Sequence, residues 1–256
     1  MILVERNSDH LVVKLNRPDV RNAFNPEMIE KLTEVFRKTH QEPQLKSLSL
    51  MGEGGTFCAG ADLNWMQSLV HADFDQNKKD AEKLHGLFQA LWDCPVPVIS
   101  VVRGAAFGGA LGLLACSDYV ICEDSAQMSF SEVKLGIAPA VISEFLIKKA
   151  NLSLLNAWMI SGLLLKPVEV EKSGLIHVVV PSALVQAEYD RYIKSLQQAG
   201  PHAVRETKKL TRLLLDPQWG SSRDLTTQLI ARLRVSPEGQ EGLKSFLEKR
   251  KPSWQA

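Results

Sequence analysis

The segment SFSEVKLGI (residues 129–137) places one acid, Glu132, among Phe130, Val133, Leu135 and Ile137. Burial in such company favours the neutral carboxyl and lifts its pKa toward working pH, which suits a group that takes or gives a proton. A local pair with Lys134 fits the same residues. Two glycine-rich turns offer a complementary chemistry. GEGGTFCAGADLNWM (52–66) follows an apolar run ending at Met51, and RGAAFGGALG (103–112) follows one ending at Val102. Small residues let a ligand reach the backbone, and the first amides of a helix have no internal acceptor, so they can donate to an oxygen that carries negative charge. Two such turns can supply two donors. Ordinary strand-to-helix turns have the same composition. A nucleotide-phosphate loop fits less well, because neither GxGxxG nor GxxxxGK followed by Ser or Thr occurs.

These residues need a frame that brings distant turns together. HLVVKLNRP (10–18) reads as a short strand, with residues 2–5 as its hairpin partner. Pro26 to Thr39 carries Met28, Ile29, Leu32 and Phe36 at helical spacing, with Asn25 as the N-cap and Pro26 in the first turn. Strands are predicted at 45–52, 97–102 and 118–123, and helices at 75–92 and 108–116. Strands alternating with helices indicate an α/β core with parallel pairing, and ligands of such sheets sit at the carboxyl ends of the strands. Beyond about Ser182 the strand signals stop and four helical patterns follow. The chain therefore divides into a core of residues 1–195 and a helical C-terminal region, 196–256, suited to oligomerisation.

The bulk properties exclude several classes. Thirty basic and twenty-nine acidic side chains leave a net charge of +1, which gives no general pull toward nucleic acid or anionic membrane. The run Lys249, Arg250, Lys251 reads as a solvated helix end. The apolar region from Pro95 to Cys122 is interrupted by Arg103, glycines and Asp118, so a membrane span is not expected. Cys58, Cys94, Cys116 and Cys122 form no CxxC pair and read as buried reduced thiols, with no metal site. The start, MILVERNSDH, has no leader pattern, so a cytoplasmic location is the expectation.

GTFCAGADL, GAAFGGALGLLACSDYVI and AQMSFSEVKLGIAPA, in this order, resemble the enoyl-CoA hydratase/isomerase (crotonase) family. RPDVRNAFN and FLEKRKPSW extend the resemblance over essentially the whole chain. The resemblance implies a ClpP/crotonase-like α/β spiral of ββα units with a helical C-terminal region that mediates trimers or dimers of trimers. It also implies an acyl-CoA thioester as substrate, with coenzyme A carried by the substrate and no separate cofactor. By position, the amides of Ala61 and Gly109 would form an oxyanion hole and Glu132 would be the catalytic carboxylate. Arg21, Ala23, Ala59, Asp62 and Leu63 would lie along the CoA and acyl path, Trp65 and Met66 against the acyl group, and Lys249 near phosphate.

Family hydratases commonly carry a second glutamate where this chain has Gly112, and their PGxGG segment is altered here to PAVISE (139–144). Two carboxylates suit hydration, whereas one is enough to move a proton between the α and γ carbons. Glu144 is a candidate replacement acid, or else a helix-start acid behind an N-cap Ser143. FCAGADLNWM with SEVKLGIAPAVIS is most similar to hydratases of branched, carboxylated enoyl-CoAs. These are the methylglutaconyl-CoA hydratases of leucine breakdown and the carboxygeranoyl-CoA hydratases, some of which also lack the first glutamate. The expectation is thus an enoyl-CoA hydratase, with an isomerase or a non-catalytic CoA- or RNA-binding protein as alternatives.

Overall fold

The computed structural model of the chain describes residues 1–215 and 222–255. Residues 216–221 and 256, which fall in the predicted C-terminal region, lie outside the described residues. β1 (Ile2–Asn7) and β2 (His10–Leu15) form the antiparallel hairpin that the sequence predicts. β3 (Ser47–Gly52) and β4 (Val98–Val102) then add in parallel. A short strand, β5 (Ala105–Phe107), leaves this sheet; β6 (Tyr119–Glu123) returns to it, β7 (Gln127–Ser129) leaves again, and β8 (Val178–Val180) closes it. The large sheet has the order β1-β2-β3-β4-β6-β8, and β5 and β7 pair in a second, small sheet. Val98–Val102 is buried throughout, as expected of a parallel strand covered on both faces.

The helices start where the sequence provides caps. In α1 (Pro26–Lys38) the Asn25 side chain accepts from the Met28 amide, and Met28, Ile29, Leu32 and Phe36 are buried. α2 (Leu63–Leu69) is capped by Asp62. α3 (Phe74–Trp92) opens with a reciprocal Asp73–Gln76 capping box. α4 (Gly109–Cys116) has almost no polar face and is buried nearly all round. α5 (Ala140–Lys149) begins three residues before the predicted cap. Ser143 lies inside it and donates to Pro139 O at 2.7 Å, an i−4 bond within the helix that a Ser-Glu pair cannot be told from by sequence. α6 (Leu152–Ser161) ends on a left-handed Gly162, and α7 (Pro167–Glu171) is a single short element.

The chain thus winds with a repeat, each turn placing one strand in the large sheet, one in the small sheet and then a helix. β4, β5 and α4 make one turn; β6, β7 and α5 make the next. Phe36, Leu48, Leu50, Phe57, Phe88, Leu111, Leu114 and Phe145 are wholly buried in the common core, each stabilising the fold by about 1.5–3 kcal/mol. All four cysteines are buried there as free thiols.

Among the described residues four α-helices follow: α8 (Val185–Gln197), α9 (Pro201–Leu214), α10 (Ser222–Val235) and α11 (Pro237–Leu247). Residues 195 and 196 fall within α8, which lies on the outer face of the large sheet, where Tyr189 OH meets His10 Nε2 at 2.9 Å and Ser49 Oγ at 3.1 Å. α9 anchors by charge. Lys208 Nζ meets Asp118 Oδ2 at 2.5 Å and Val96 O at 2.7 Å, and Arg212 Nη2 meets Asp118 Oδ1 at 3.0 Å while its guanidinium lies 3.5 Å over the Trp92 ring. Among the described residues no helix is long and apolar enough to cross a membrane.

Candidate active site

The two glycine-rich turns lie side by side. Phe57 N donates to Arg103 O at 2.8 Å, Cys58 N to Ala105 O at 2.9 Å, and Phe107 N back to Cys58 O at 3.1 Å. Gly60 holds φ +95°, and a side chain there would reach Phe107 O at 3.1 Å, so the approach of the two backbones excludes larger residues. The 17–25 turn packs on the other side. Phe24 bridges Ala61, with Phe24 N donating to Gly60 O at 2.7 Å and Asp62 N to Phe24 O at 2.8 Å, while its ring lies 3.4 Å from where a Gly109 side chain would sit. Ala61 is exposed and Gly109 half-buried. Neither amide has an acceptor among the described residues, whereas the neighbouring Gly108 N donates to Ser129 O at 3.0 Å and Leu111 N to Gly108 O at 2.9 Å.

β5 and β7 pair in parallel, with Phe107 opposite Ser129. The segments that leave their carboxyl ends, Gly108–Gly109 and Ser131–Leu135, therefore emerge together. The second is a 3₁₀ turn that ends on a left-handed Gly136 and is braced by the end of α6, where Ser129 Oγ donates to Gly162 O at 3.1 Å. Glu132 from this turn faces the start of α4. Its Oε1 lies 3.3 Å from where a Gly108 side chain would sit, and Gly108 itself holds φ +53°. Burial pushes the Glu132 carboxyl above the usual carboxylate range, opposed in part by its own backbone amide. Its Oε2 is buried without a hydrogen-bond partner among the described residues. Lys134 does not pair with it. A desolvated carboxyl with a free oxygen, beside the amino end of a helix, can accept a proton from a ligand held there and return it.

Gly112, one turn further along α4, is closed off by hydrocarbon. A side chain there would fall 2.6 Å from Ile142 Cγ2 and 2.8 Å from two atoms of the Phe88 ring. Ile142 is the third residue after the start of the PAVIS segment, so the missing acid and the altered segment are two sides of one contact. Glu144 points elsewhere: its carboxylate meets Lys148 Nζ at 2.7 Å and His85 Nε2 at 3.1 Å, and these hydrogen bonds hold it below the usual range. That makes it a member of a half-exposed ion-pair cluster on α3 and α5.

The remaining predicted residues divide. Arg21 is exposed in a left-handed turn (φ 51°), its carbonyl accepting from Ala59 N at 2.9 Å. Ala23 is buried, Leu63 is 80% exposed, and Met66 is half-buried. Trp65 is buried and its indole N–H donates to Asp80 Oδ1 at 3.1 Å, so it is a packing residue of the α2–α3 corner. Asp62 is buried and occupied: Oδ1 accepts from Asn64 N and Trp65 N, and Oδ2 meets Arg17 Nη2 at 2.7 Å. Lys249 lies exposed in the turn after α11, with φ 54°. Two residues take structural roles that their sequence context does not single out. Asn22 is fully buried with φ 56°; it accepts from Arg17 N and donates to Glu53 O and Thr56 O, pinning the first glycine turn. Arg17, and not Arg21, is the arginine turned inward. A polar residue between a Pro-Asp turn and a buried Phe was the available signal for Asn22.

Behind the site, Lys149 Nζ donates to Leu114 O at 2.5 Å and Ser117 O at 2.7 Å, closing the carboxyl end of α4. Burial pulls its pKa down to about 7. Among the described residues no group of three His, Cys, Asp or Glu side chains is arranged to hold a metal ion.

Comparison with known proteins identifies the family and the fold. The model of the enoyl-CoA hydratase/isomerase family matches residues 5–256. The crystal structure of an enoyl-CoA hydratase from Shewanella pealeana superposes with a TM-score of 0.93 at 37% identity, covering 99% of this chain and 95% of that one. AtuE of Pseudomonas aeruginosa superposes with a TM-score of 0.96 at 27% identity, over 100% and 99% of the two chains. Enoyl-CoA hydratase EchA19 of Mycobacterium tuberculosis is 27% identical over 99% of this chain and 96% of its own. The winding of strand, strand and helix is therefore the crotonase fold.

Proposed function

The chain belongs to the enoyl-CoA hydratase/isomerase family, and from that premise we propose that it hydrates the α,β double bond of a 2-enoyl-CoA, with Glu132 as its single acid and base. The observation that carries this reading is the Glu132 carboxyl set against the first turn of α4, desolvated and with one oxygen unbonded. The thioester oxygen accepts from the amides of Ala61 and Gly109. Glu132 takes a proton from a water as the water oxygen bonds to the β carbon, and the electron pair of the double bond moves onto the thioester oxygen as an enolate. The protonated Glu132 then returns its proton to the α carbon, completing the net addition of one water. Each amide donor of this kind stabilises the charged oxygen by about 3–4 kcal/mol. With the Gly112 side closed by Phe88 and Ile142, hydroxyl and proton arrive from the Glu132 side, and the addition is syn.

Resemblance to the branched, carboxylated enoyl-CoA subgroup supports a substrate such as methylglutaconyl-CoA. Exposed Arg21 is the proposed contact for coenzyme A phosphate. Val235, Phe246 and Leu247, each 77–80% exposed on the last two helices, support a homo-oligomer such as a trimer. The hydrocarbon wall at Gly112 favours a second reading, a double-bond isomerase in which the same carboxylate shuttles a proton between α and γ carbons.

Incubation with crotonyl-CoA and, separately, with a 3-enoyl-CoA separates the two. Loss of the conjugated thioester absorbance from the first supports hydration; its appearance from the second supports isomerisation. Glu132→Gln is expected to lower turnover by about 100-fold or more while butyryl-CoA still binds. Full activity in that variant overturns both readings.

A further inference from the structure

A largely buried charge pair beside the site touches neither the glutamate nor the free amides directly. Arg17 lies just before the 18–20 turn, with its side chain 18% exposed, and Asp62, 5% exposed, follows Ala61. The guanidinium spans two segments: Nη2 meets Asp62 Oδ2 at 2.7 Å and Nη1 donates to Ala23 O at 2.7 Å. These are the two segments whose backbones pair through Phe24 and Ala61. The other Asp62 oxygen accepts from Asn64 N at 2.8 Å and Trp65 N at 3.3 Å at the start of α2. Phe24 carries the constraint on, because its ring lies 3.4 Å from the side-chain position of Gly109. One arginine thus latches the strand carrying the first free amide onto the residue that packs beneath the second.

The pair also solves an electrostatic problem. Asp62 stands one residue from the amide that would face a developing enolate, and a bare carboxylate there would repel it. Burial alone would raise the Asp62 pKa; the Arg17 bond and the α2 amides outweigh it and hold the carboxyl ionised, below the usual range.

Resting on the function proposed above, we infer that Arg17 and Asp62 are positioning residues that fix the two thioester-binding amides and cancel the charge beside them. Neither residue contacts the reacting atoms. Their loss should therefore lower kcat while leaving KM within about threefold, since a small misplacement of catalytic groups costs on the order of 100-fold in rate. Arg17→Met removes the latch and exposes the Asp62 charge, so it should be the worse single variant, down about 100-fold. Asp62→Asn keeps the α2 cap and should fall about tenfold. The double variant Arg17→Met/Asp62→Asn has no bare carboxylate and should recover part of the loss of Arg17→Met in kcat measured on folded protein.

The deciding measurement needs no turnover. Butyryl-CoA is bound to the full-length protein and the infrared stretch of its thioester carbonyl is recorded, which moves to lower frequency as hydrogen bonds to the oxygen strengthen. The wild type and Glu132→Gln should show the shift, and Arg17→Met should lose most of it. If Arg17→Met fails to fold by circular dichroism, Arg17→Lys and Asp62→Asn take its place, since lysine cannot span both acceptors. An unshifted carbonyl in the wild type overturns the functional reading itself. A shift that persists unchanged in folded latch variants, or a double variant no better than Arg17→Met, overturns the latch alone.

Discussion

Gly112→Ala tests whether the place of the second family acid has been closed by packing. The added carbon would stand 2.6 Å from Ile142 Cγ2 and 2.8 Å from the Phe88 ring, about 1 Å inside the 3.5–4.0 Å at which carbon atoms rest. Neither neighbour can swing into solvent, because Ile142 is 2% and Phe88 0% exposed. Overpacking of this kind costs about 1–3 kcal/mol, and the better helix propensity of alanine returns about 0.5–1 kcal/mol, so a net loss centred on about 1 kcal/mol, within a range of about 0–2.5 kcal/mol, is expected. Ile142→Ala alone opens a cavity at a cost of about 2–5 kcal/mol. In the double variant the new methyl occupies part of that cavity, so the two losses should fall short of additive by at least about 1 kcal/mol. Urea midpoints of the four proteins at constant m measure the cycle. Additivity within about 0.5 kcal/mol, or a stabilised Gly112→Ala, would refute the reasoning that Ile142 and Phe88 fill the position.

Glu132 should weaken the fold that it serves. Its pKa is raised in the folded state, so the penalty is absent at pH values below the unfolded glutamate pKa and grows as pH rises through the folded one. Glu132→Gln should accordingly melt higher than wild type at pH 8, with the difference vanishing near pH 4 in paired thermal scans. Gly108→Ala forces a side chain into φ +53° against Glu132 Oε1. It should cost about 1–3 kcal/mol and at least tenfold in kcat, read by denaturation and steady-state assay. Asp118→Asn strands Lys208 and Arg212 and should destabilise by about 3 kcal/mol at pH 7. Burial works to raise the Asp118 pKa, but Lys208 and Arg212 prevail and lower it, so its contribution is present above the unfolded pKa and the gap to wild type should shrink as pH falls through the folded value.

Local signals made some of this legible in advance. Asn25-Pro26 announces α1, and the glycine pair followed by ALGLLAC announces α4, because capping and apolar spacing act within a few residues. What failed to show was partnership across the chain. Arg17 and Arg21 flank the same turn, and only the pairing of Phe24 with Ala61 decides which one faces Asp62. Trp65 reads from sequence as pocket wall or as core, and its hydrogen-bond partner, Asp80, lies a helix away. Ser143 and Glu144 carry the composition of a helix start, yet the helix begins at Ala140 behind Pro139, without a side-chain cap. Gly112 and PAVIS were each visible as oddities, and their contact is a property of the α4–α5 packing.

The Asp118 anchor bears on the order in which the molecule can be completed on the ribosome. Asp118 lies at the start of the strand that follows α4, and its carboxylate also receives the amide of Val98 at 2.8 Å. Its two ion-pair partners, Lys208 and Arg212, are synthesised some ninety residues later. Until they emerge, the nascent interior carries an acid with Lys149 beside it, so chains that stop before residue 212 are expected to hold the interior less firmly than the full chain does.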